Sequence, residues 1–204
     1  MAEKKAVVFD FGGVMTATTE PVLVRDALQE LGIGWAVAQR GYARYRHAYD
    51  AGDIALAELY ERTWRDGGVT LSEADFRRVL ECDRASWLRR NPRTLDWMRA
   101  LKAEGRRIGI LTNMAPDFAP LFLEHYAEYV ELADAMVISG LVRMHKPQPQ
   151  IYALLRERIG LEASRLVFVD DVEENCEAAR RAGWSAIRFT SNEQVERDLA
   201  ALER

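Results

Sequence analysis

The chain has 204 residues, 49% of them hydrophobic and 29% charged, and its 28 basic residues stand against 32 acidic ones for a net charge of −4. That is room for one domain with a modest insertion, and the balance of apolar and charged residues excludes a disordered, collagen-like or low-complexity chain. The mildly acidic total also weighs against a primary nucleic-acid binder.

Lys4 and Lys5 precede an apolar run, Ala6 to Asp10, that reads as the first strand. Asp10 interrupts the run too early for a secretory signal, and no apolar stretch approaches the roughly 18 residues of a membrane span, so a cytoplasmic protein without membrane contact is expected. The interval from about residue 20 to 90 then contains no convincing strand. Gly32 to Gly34, Gly52 with Asp53, and Gly67 with Gly68 divide it into helices expected near 21–31, 35–50, 55–66 and 72–89.

Beyond it the pattern alternates. A helix from Asn91 to Ala103 leads to strands at Arg107 to Thr112 and Ala135 to Ser139. A helix from Pro149 to Arg158, a strand from Arg165 to Asp170 and a helix from Val172 to Ala182 follow. A weaker strand, Ser185 to Phe189, and a terminal helix, Asn192 to Leu202, complete the chain. Gly105, Gly160 and Gly183 stand where a left-handed residue ends a helix. Strands that are apolar throughout and alternate with amphipathic helices imply an α/β fold, a parallel sheet covered on both faces, with an all-helical insertion after its first strand. Cys82 and Cys176 lie far apart without metal-type spacing and read as two reduced thiols.

In such sheets ligands bind beyond the carboxyl ends of the strands, and four polar constellations fall there. Asp10 ends the first strand and is followed by Gly12 and Gly13, a carboxylate beside backbone that can wrap an anion. Thr112 and Asn113 bring a hydroxyl and an amide to the end of the second strand, both able to bond an oxyanion. Lys146, one of only four lysines against 24 arginines, precedes Pro149 at the start of a helix. A compact ammonium there suits phosphate oxygens. Asp170 and Asp171 end the fourth strand as adjacent acids, the donor chemistry of a Mg²⁺ site. Taken singly, each also fits a plainer role: a turn cap, loop punctuation, a solvated lysine, a helix cap.

In combination and order these segments resemble the haloacid dehalogenase-like superfamily. The motifs are matched by Asp10 in VVFDFGGV, Thr112 in IGILTN, Lys146 in HKPQPQIY, and Asp170 with Asp171 in VFVDDVEENCEAARRAGWSAIRF. The resemblance covers about residues 5 to 190, and the helical interval resembles a four-helix cap of that superfamily. It implies a Rossmann-like doubly wound core, residues 1–15 and 91–204, and a mobile cap, residues 16–90. It also implies a Mg²⁺-dependent phosphatase of small phosphomonoesters, sugar phosphates among them. Asp10 is then the nucleophile that forms an aspartyl-phosphate, and Thr112, Asn113, Gly12, Gly13 and Lys146 bind the phosphoryl group. Asp10, the Gly12 carbonyl, Asp170 and Asp171 are the metal ligands. The expected partner is a small phosphorylated metabolite, with neither nucleic acid nor membrane.

One position departs from the superfamily's phosphatase pattern. A second Asp normally stands two residues after the nucleophile as general acid and base, where this chain has Gly12. Loss of such a group forfeits roughly 10²- to 10⁴-fold in rate, and His47 and His145 are the candidate substitutes. Two alternatives follow: a metal-independent 2-haloacid dehalogenase, which also lacks the second Asp, and a degenerate member that binds a phosphorylated ligand or a partner without turnover. The acid pair at 170 and 171 favours the phosphatase, because uncompensated acids disfavour a metal-free site for an anion. Tyr42, Tyr45 and Tyr49 share one face of the second insert helix, where they either line a substrate pocket or pack the insert together.

Overall fold

The computed structural model describes residues 4–203. Five short strands form one parallel sheet: β1 (Ala6–Phe9), β2 (Ile108–Thr112), β3 (Ala135–Ile138), β4 (Leu166–Asp170) and β5 (Ser185–Arg188), in the order β3-β2-β1-β4-β5. The first four are buried almost throughout, which is why they read as unbroken apolar runs rather than alternating ones. The pleat sends successive side chains to opposite faces.

Val7 and Phe9 of β1 therefore join one core layer, with Ile108 and Ile110 of β2 and Val167 and Val169 of β4. Helices α5 (Pro92–Ala103), α6 (Ala119–His125), α7 (Ala127–Val130) and α11 (Asn192–Leu202) cover that face through Met98, Phe122, Tyr129 and Leu199. Ala6 and Val8 face the other layer with Leu111 and Phe168, under α9 (Pro149–Ile159) and α10 (Glu173–Arg181). The sheet is thus doubly wound, and its strand order reverses beside β1.

Between β1 and α5 the chain makes four helices, α1 (Val22–Glu30), α2 (Trp35–Asp50), α3 (Leu56–Gly67) and α4 (Glu73–Ser86), with no strand among the described residues of that interval. They bury a cluster of their own around Leu28, Leu59, Tyr60 and Val79. Ala115, from the loop after β2, is the core residue that enters this cluster. The two crossings into the insert are laced together: Thr16 and Arg90 form an isolated antiparallel bridge, and the Asn91 N–H donates to the Met15 carbonyl at 2.7 Å.

The expected helices and strands are present, with shifted ends. β1 stops at Phe9, and Asp10 lies one residue past it while its N–H still bonds the Val169 carbonyl at 2.9 Å. The fourth insert helix ends at Ser86, three residues short of expectation. Gly105, Gly160 and Gly183 all adopt positive φ, at 79°, 66° and 83°. Helices α6, α7 and the short α8 (Ser139–Val142) carry no sequence-based expectation. Their few turns begin without a side-chain cap, and α6 and α7 are separated by a single residue, Tyr126.

Inside the insert, Asp83 is buried and accepts the Tyr60 hydroxyl at 2.7 Å. Burial pushes its pKa from 3.8 up to about 6, against the pull of Tyr60, Arg46 and Trp87. The folded state then binds this proton more tightly than the unfolded chain. Its stabilising contribution is complete below about pH 4 and is lost as pH rises through about 6, a difference near 3 kcal/mol. Asp83→Asn keeps an acceptor for Tyr60 and removes the charge. Its melting temperature is expected to exceed that of the unmodified protein at about pH 8, with the gap closing toward about pH 5.

Candidate active site

The sheet delivers Asp10, Thr112 and Asp170 to one edge because β2, β1 and β4 are neighbours in register. Val8 pairs with Gly109 and with Phe168, so the three strands end almost level. Lys146 arrives from the loop before α9, with its ammonium almost fully buried. It stands 2.7 Å from Asp10 Oδ1 and 2.6 Å from Asp170 Oδ2. One cation thus bridges two strand-end carboxylates. Asp171 lies beside them, and one oxygen from each of Asp10, Asp170 and Asp171 falls within 4.8 Å of the others.

Each group is held by its neighbours. Asp170 accepts the Val172 N–H at 2.8 Å just ahead of α10 as well as meeting Lys146, and Asn175 places Nδ2 3.1 Å from both of its oxygens. The amide of Asn113 clasps the lysine's main chain, accepting from the Lys146 N–H at 2.7 Å and donating to its carbonyl at 3.0 Å. That side chain is engaged in positioning the lysine loop, which the residue type alone did not reveal. Thr112 Oγ1 is buried with no hydrogen-bond partner among the described residues. Gly12 lines the cavity in front of Asp10. The Gly13 N–H is occupied by Thr16 Oγ1 at 2.8 Å and the Thr18 carbonyl at 3.0 Å, and a Cβ on Gly13 would come within 2.8 Å of Asp171 Oδ2.

The electrostatics follow from this crowding. Burial pushes Asp10 up to about 8; Lys146 opposes the shift, while Asp170 and Asp171 add to it. Burial likewise raises Asp171 to about 6, with Asp170 as the next cause. For Lys146, burial alone would favour the neutral amine, but the carboxylates of Asp10 and Asp170 outweigh it and hold the ammonium charged above the usual lysine range. When all three carboxylates are ionised, −3 + 1 leaves a deficit of two positive charges around the one ammonium, and the raised Asp10 and Asp171 mark the cost of that state without a further cation.

A cavity of about 260 Å³ opens from this edge toward the insert. Tyr42 and Tyr49 line it, whereas Tyr45 turns aside and gives its hydroxyl to Asp66 at 2.5 Å. His47 and His145 meet at the rim, ring centroids 5.2 Å apart, and His47 also borders the cavity. Sequence reasoning missed Trp87 and the buried acids Asp50 and Asp83 at this wall: Asp83 finds its partner Tyr60 on another helix, and Asp50, paired with Arg46 in its own helix, looked like an ordinary surface ion pair. Asn175 was visible only as part of a motif, five residues beyond Asp170.

A doubly wound sheet with a buried strand-end carboxylate, a buried lysine and an acid pair at its carboxyl edge is the arrangement of a hydrolase of the haloacid dehalogenase type. Residues 4–183 match the haloacid dehalogenase-like hydrolase family, and the chain belongs to it. A sesquiterpene phosphatase of Aspergillus oryzae is 30% identical over 191 residues, which cover 92% of this chain and 91% of that protein. Among solved structures, a family enzyme from Bacteroides thetaiotaomicron in complex with magnesium and inorganic phosphate superposes with a TM-score of 0.69 at 19% identity, covering 92% of this chain and 95% of that one. The L-2-haloacid dehalogenase of Xanthobacter autotrophicus, with chloropropionic acid covalently bound, gives 0.68 at 22% identity, over 98% and 83%. These two likenesses bear on the fold, which matches the Rossmann-like expectation.

Removing the bridging cation tests the site's electrostatics. Lys146→Met leaves Asp10 and Asp170 as buried carboxylates without their shared partner, a loss of about 3–5 kcal/mol for a broken buried pair. Its melting temperature should fall most at about pH 8 and recover relative to the unmodified protein toward about pH 5, where Asp10 is protonated and its pairing with the ammonium is absent from both. A deficit independent of pH would contradict the assigned charges.

Proposed function

We propose that the protein is a cytoplasmic, Mg²⁺-dependent phosphatase of small phosphomonoesters that works through an aspartyl-phosphate on Asp10, with residues 16–90 acting as a cap over the site. The observation that carries this reading is the charge deficit of two at the strand ends, in a set of all-oxygen donors. It matches one divalent cation of the hard, oxygen-preferring kind. Asp10, Asp170 and Asp171, with the Gly12 carbonyl, are the residues that would hold it. When bound, Mg²⁺ supplies positive charge to the phosphoryl oxygens and relieves the repulsion among the carboxylates.

The chain's own residues then divide the work. Asp10 attacks phosphorus, an aspartyl P–O bond forms, and the ester P–O bond breaks. The leaving alkoxide takes a proton from water and departs as the alcohol. Water next attacks phosphorus and gives up a proton to solvent, the aspartyl P–O bond breaks, and inorganic phosphate leaves. Lys146 neutralises the transferring group and orients Asp10, the partnerless Thr112 hydroxyl donates to a phosphoryl oxygen, and Asn113 holds the lysine in place. Positioning and charge neutralisation of this kind account for most of phosphoryl-transfer catalysis. The similarity to a protein named as a sesquiterpene phosphatase supports the same reading.

Two experiments test it. With para-nitrophenyl phosphate and a panel of small phosphomonoesters, phosphate release should require Mg²⁺, stop with a chelator and vanish in Asp10→Asn. Halide release from 2-haloacids that ignores the chelator would replace the phosphatase with a dehalogenase. The second concerns the missing acid. Gly12 has an ordinary backbone conformation, and a Cβ there would meet Trp87 Cζ3 at 3.6 Å, a normal contact, so the backbone accepts a side chain at this position. Gly12→Asp is expected to raise kcat on alkyl phosphates by about 10-fold or more. It should change para-nitrophenyl phosphate turnover little, because that leaving group departs without a proton. A uniform change on both would refute the general-acid deficit.

A further inference from the structure

The cavity has two chemically distinct ends. One is the phosphoryl site at Asp10, Lys146 and Asp171; the other is a wall built by Phe11, Tyr42, Tyr49, Trp87, Met114 and Phe118. Three acidic or basic side chains also border that wall, and each has a partner, although Asp50 Oδ1 is buried with none among the described residues. Arg46 donates through Nε to Asp50 Oδ2 at 2.6 Å and through Nη1 to the Tyr42 hydroxyl at 2.6 Å. Its guanidinium lies 4.9 Å from the centroid of the Tyr42 ring and 5.6 Å from that of Trp87. Asp83 accepts from Tyr60 at 2.7 Å.

Resting on the phosphatase reading above, we infer that the group leaving the phosphate is a compact, uncharged alcohol with an apolar or aromatic body. Lys146 and Arg46 are the Lys and Arg residues among the described lining, and both are engaged by carboxylates. A second anionic group on the substrate would find no unengaged ammonium or guanidinium there, and it would face Asp50 and Asp83. A sugar would set several hydroxyls against rings, with the unpartnered Asp50 Oδ1 as one acceptor at the wall, and each further buried hydroxyl without a partner costs about 1–3 kcal/mol. An apolar body, by contrast, gains from leaving water against rings and the Met114 side chain. At about 260 Å³ the space lies below the range of pockets for drug-sized ligands, about 300–1,000 Å³, which sets the compactness.

The test compares kcat/KM for benzyl phosphate and hexyl phosphate with that for glucose 6-phosphate and 2-phosphoglycolate, all esters of alcohols, in the presence of Mg²⁺. The expected result is a preference of about 10-fold or more for the first two over both of the others. Phosphate release with equal or reversed preference overturns this inference and leaves the phosphatase reading standing. Absence of Mg²⁺-dependent release from every ester, para-nitrophenyl phosphate included, overturns both. His47→Lys adds a cation at the exposed rim, where it disturbs no buried contact. It should raise 2-phosphoglycolate relative to benzyl phosphate severalfold, and an unchanged ratio would refute the charge argument.

Discussion

One ammonium sits between two carboxylates at the carboxyl edge of the sheet, and the rest of the site is arranged to keep it there. Lys146 lies 2.7 Å from Asp10 and 2.6 Å from Asp170, almost wholly out of water. Burying three such groups is tolerable only where geometry is tight and the remaining lone pairs are engaged. Asn175 and the Val172 N–H engage Asp170, and Asn113 fixes the lysine's backbone. The sheet register supplies the remaining precision, since β1, β2 and β4 are locked side by side and finish together. Asp171 is the acid that this bridge leaves over.

The insert is joined to this edge by more than its two crossing strands. Ser139, at the end of β3, donates its hydroxyl to the Asp50 carbonyl at 2.6 Å and accepts the Met114 N–H at 2.8 Å. A single side chain thereby ties the last residue of α2 to the loop that follows β2. Ala115, in that same loop, packs into the insert's own apolar cluster. The wall of the cavity is consequently a joint product: rings from both halves of the chain enclose the space beyond Asp10.

Much of this was legible from composition and pattern, for a physical reason. Strands buried on both faces must be apolar throughout, so β1, β2, β3 and β4 announce themselves, and their polar C-terminal neighbours mark the ligand edge. Asp10, Thr112, Lys146 and Asp170 could be read because their chemistry sits beside an unmistakable local signal. Helices α6 to α8 gave no such signal, being too short to show a periodicity and lacking capping side chains. The Tyr42, Tyr45 and Tyr49 stripe looked uniform, yet Tyr45 follows Asp66 out of the cavity. The pairing of Asp83 with Tyr60, across two helices, is a tertiary fact with no trace in local spacing. Asn113 shows the same limit in miniature: an amide suited to an oxyanion is engaged by a neighbouring loop.

The bridge between Thr16 and Arg90 has a bearing on the history of such a chain. Because the strands entering and leaving the insert meet as immediate neighbours, the sheet sees only a narrow gap between β1 and α5, however long the intervening chain. Closing a longer loop costs little extra, growing only with the logarithm of its length. Helices can therefore be gained, lost or exchanged at this neck without moving Asp10 relative to Lys146, so the insert can diverge while the carboxyl edge of the sheet stays fixed.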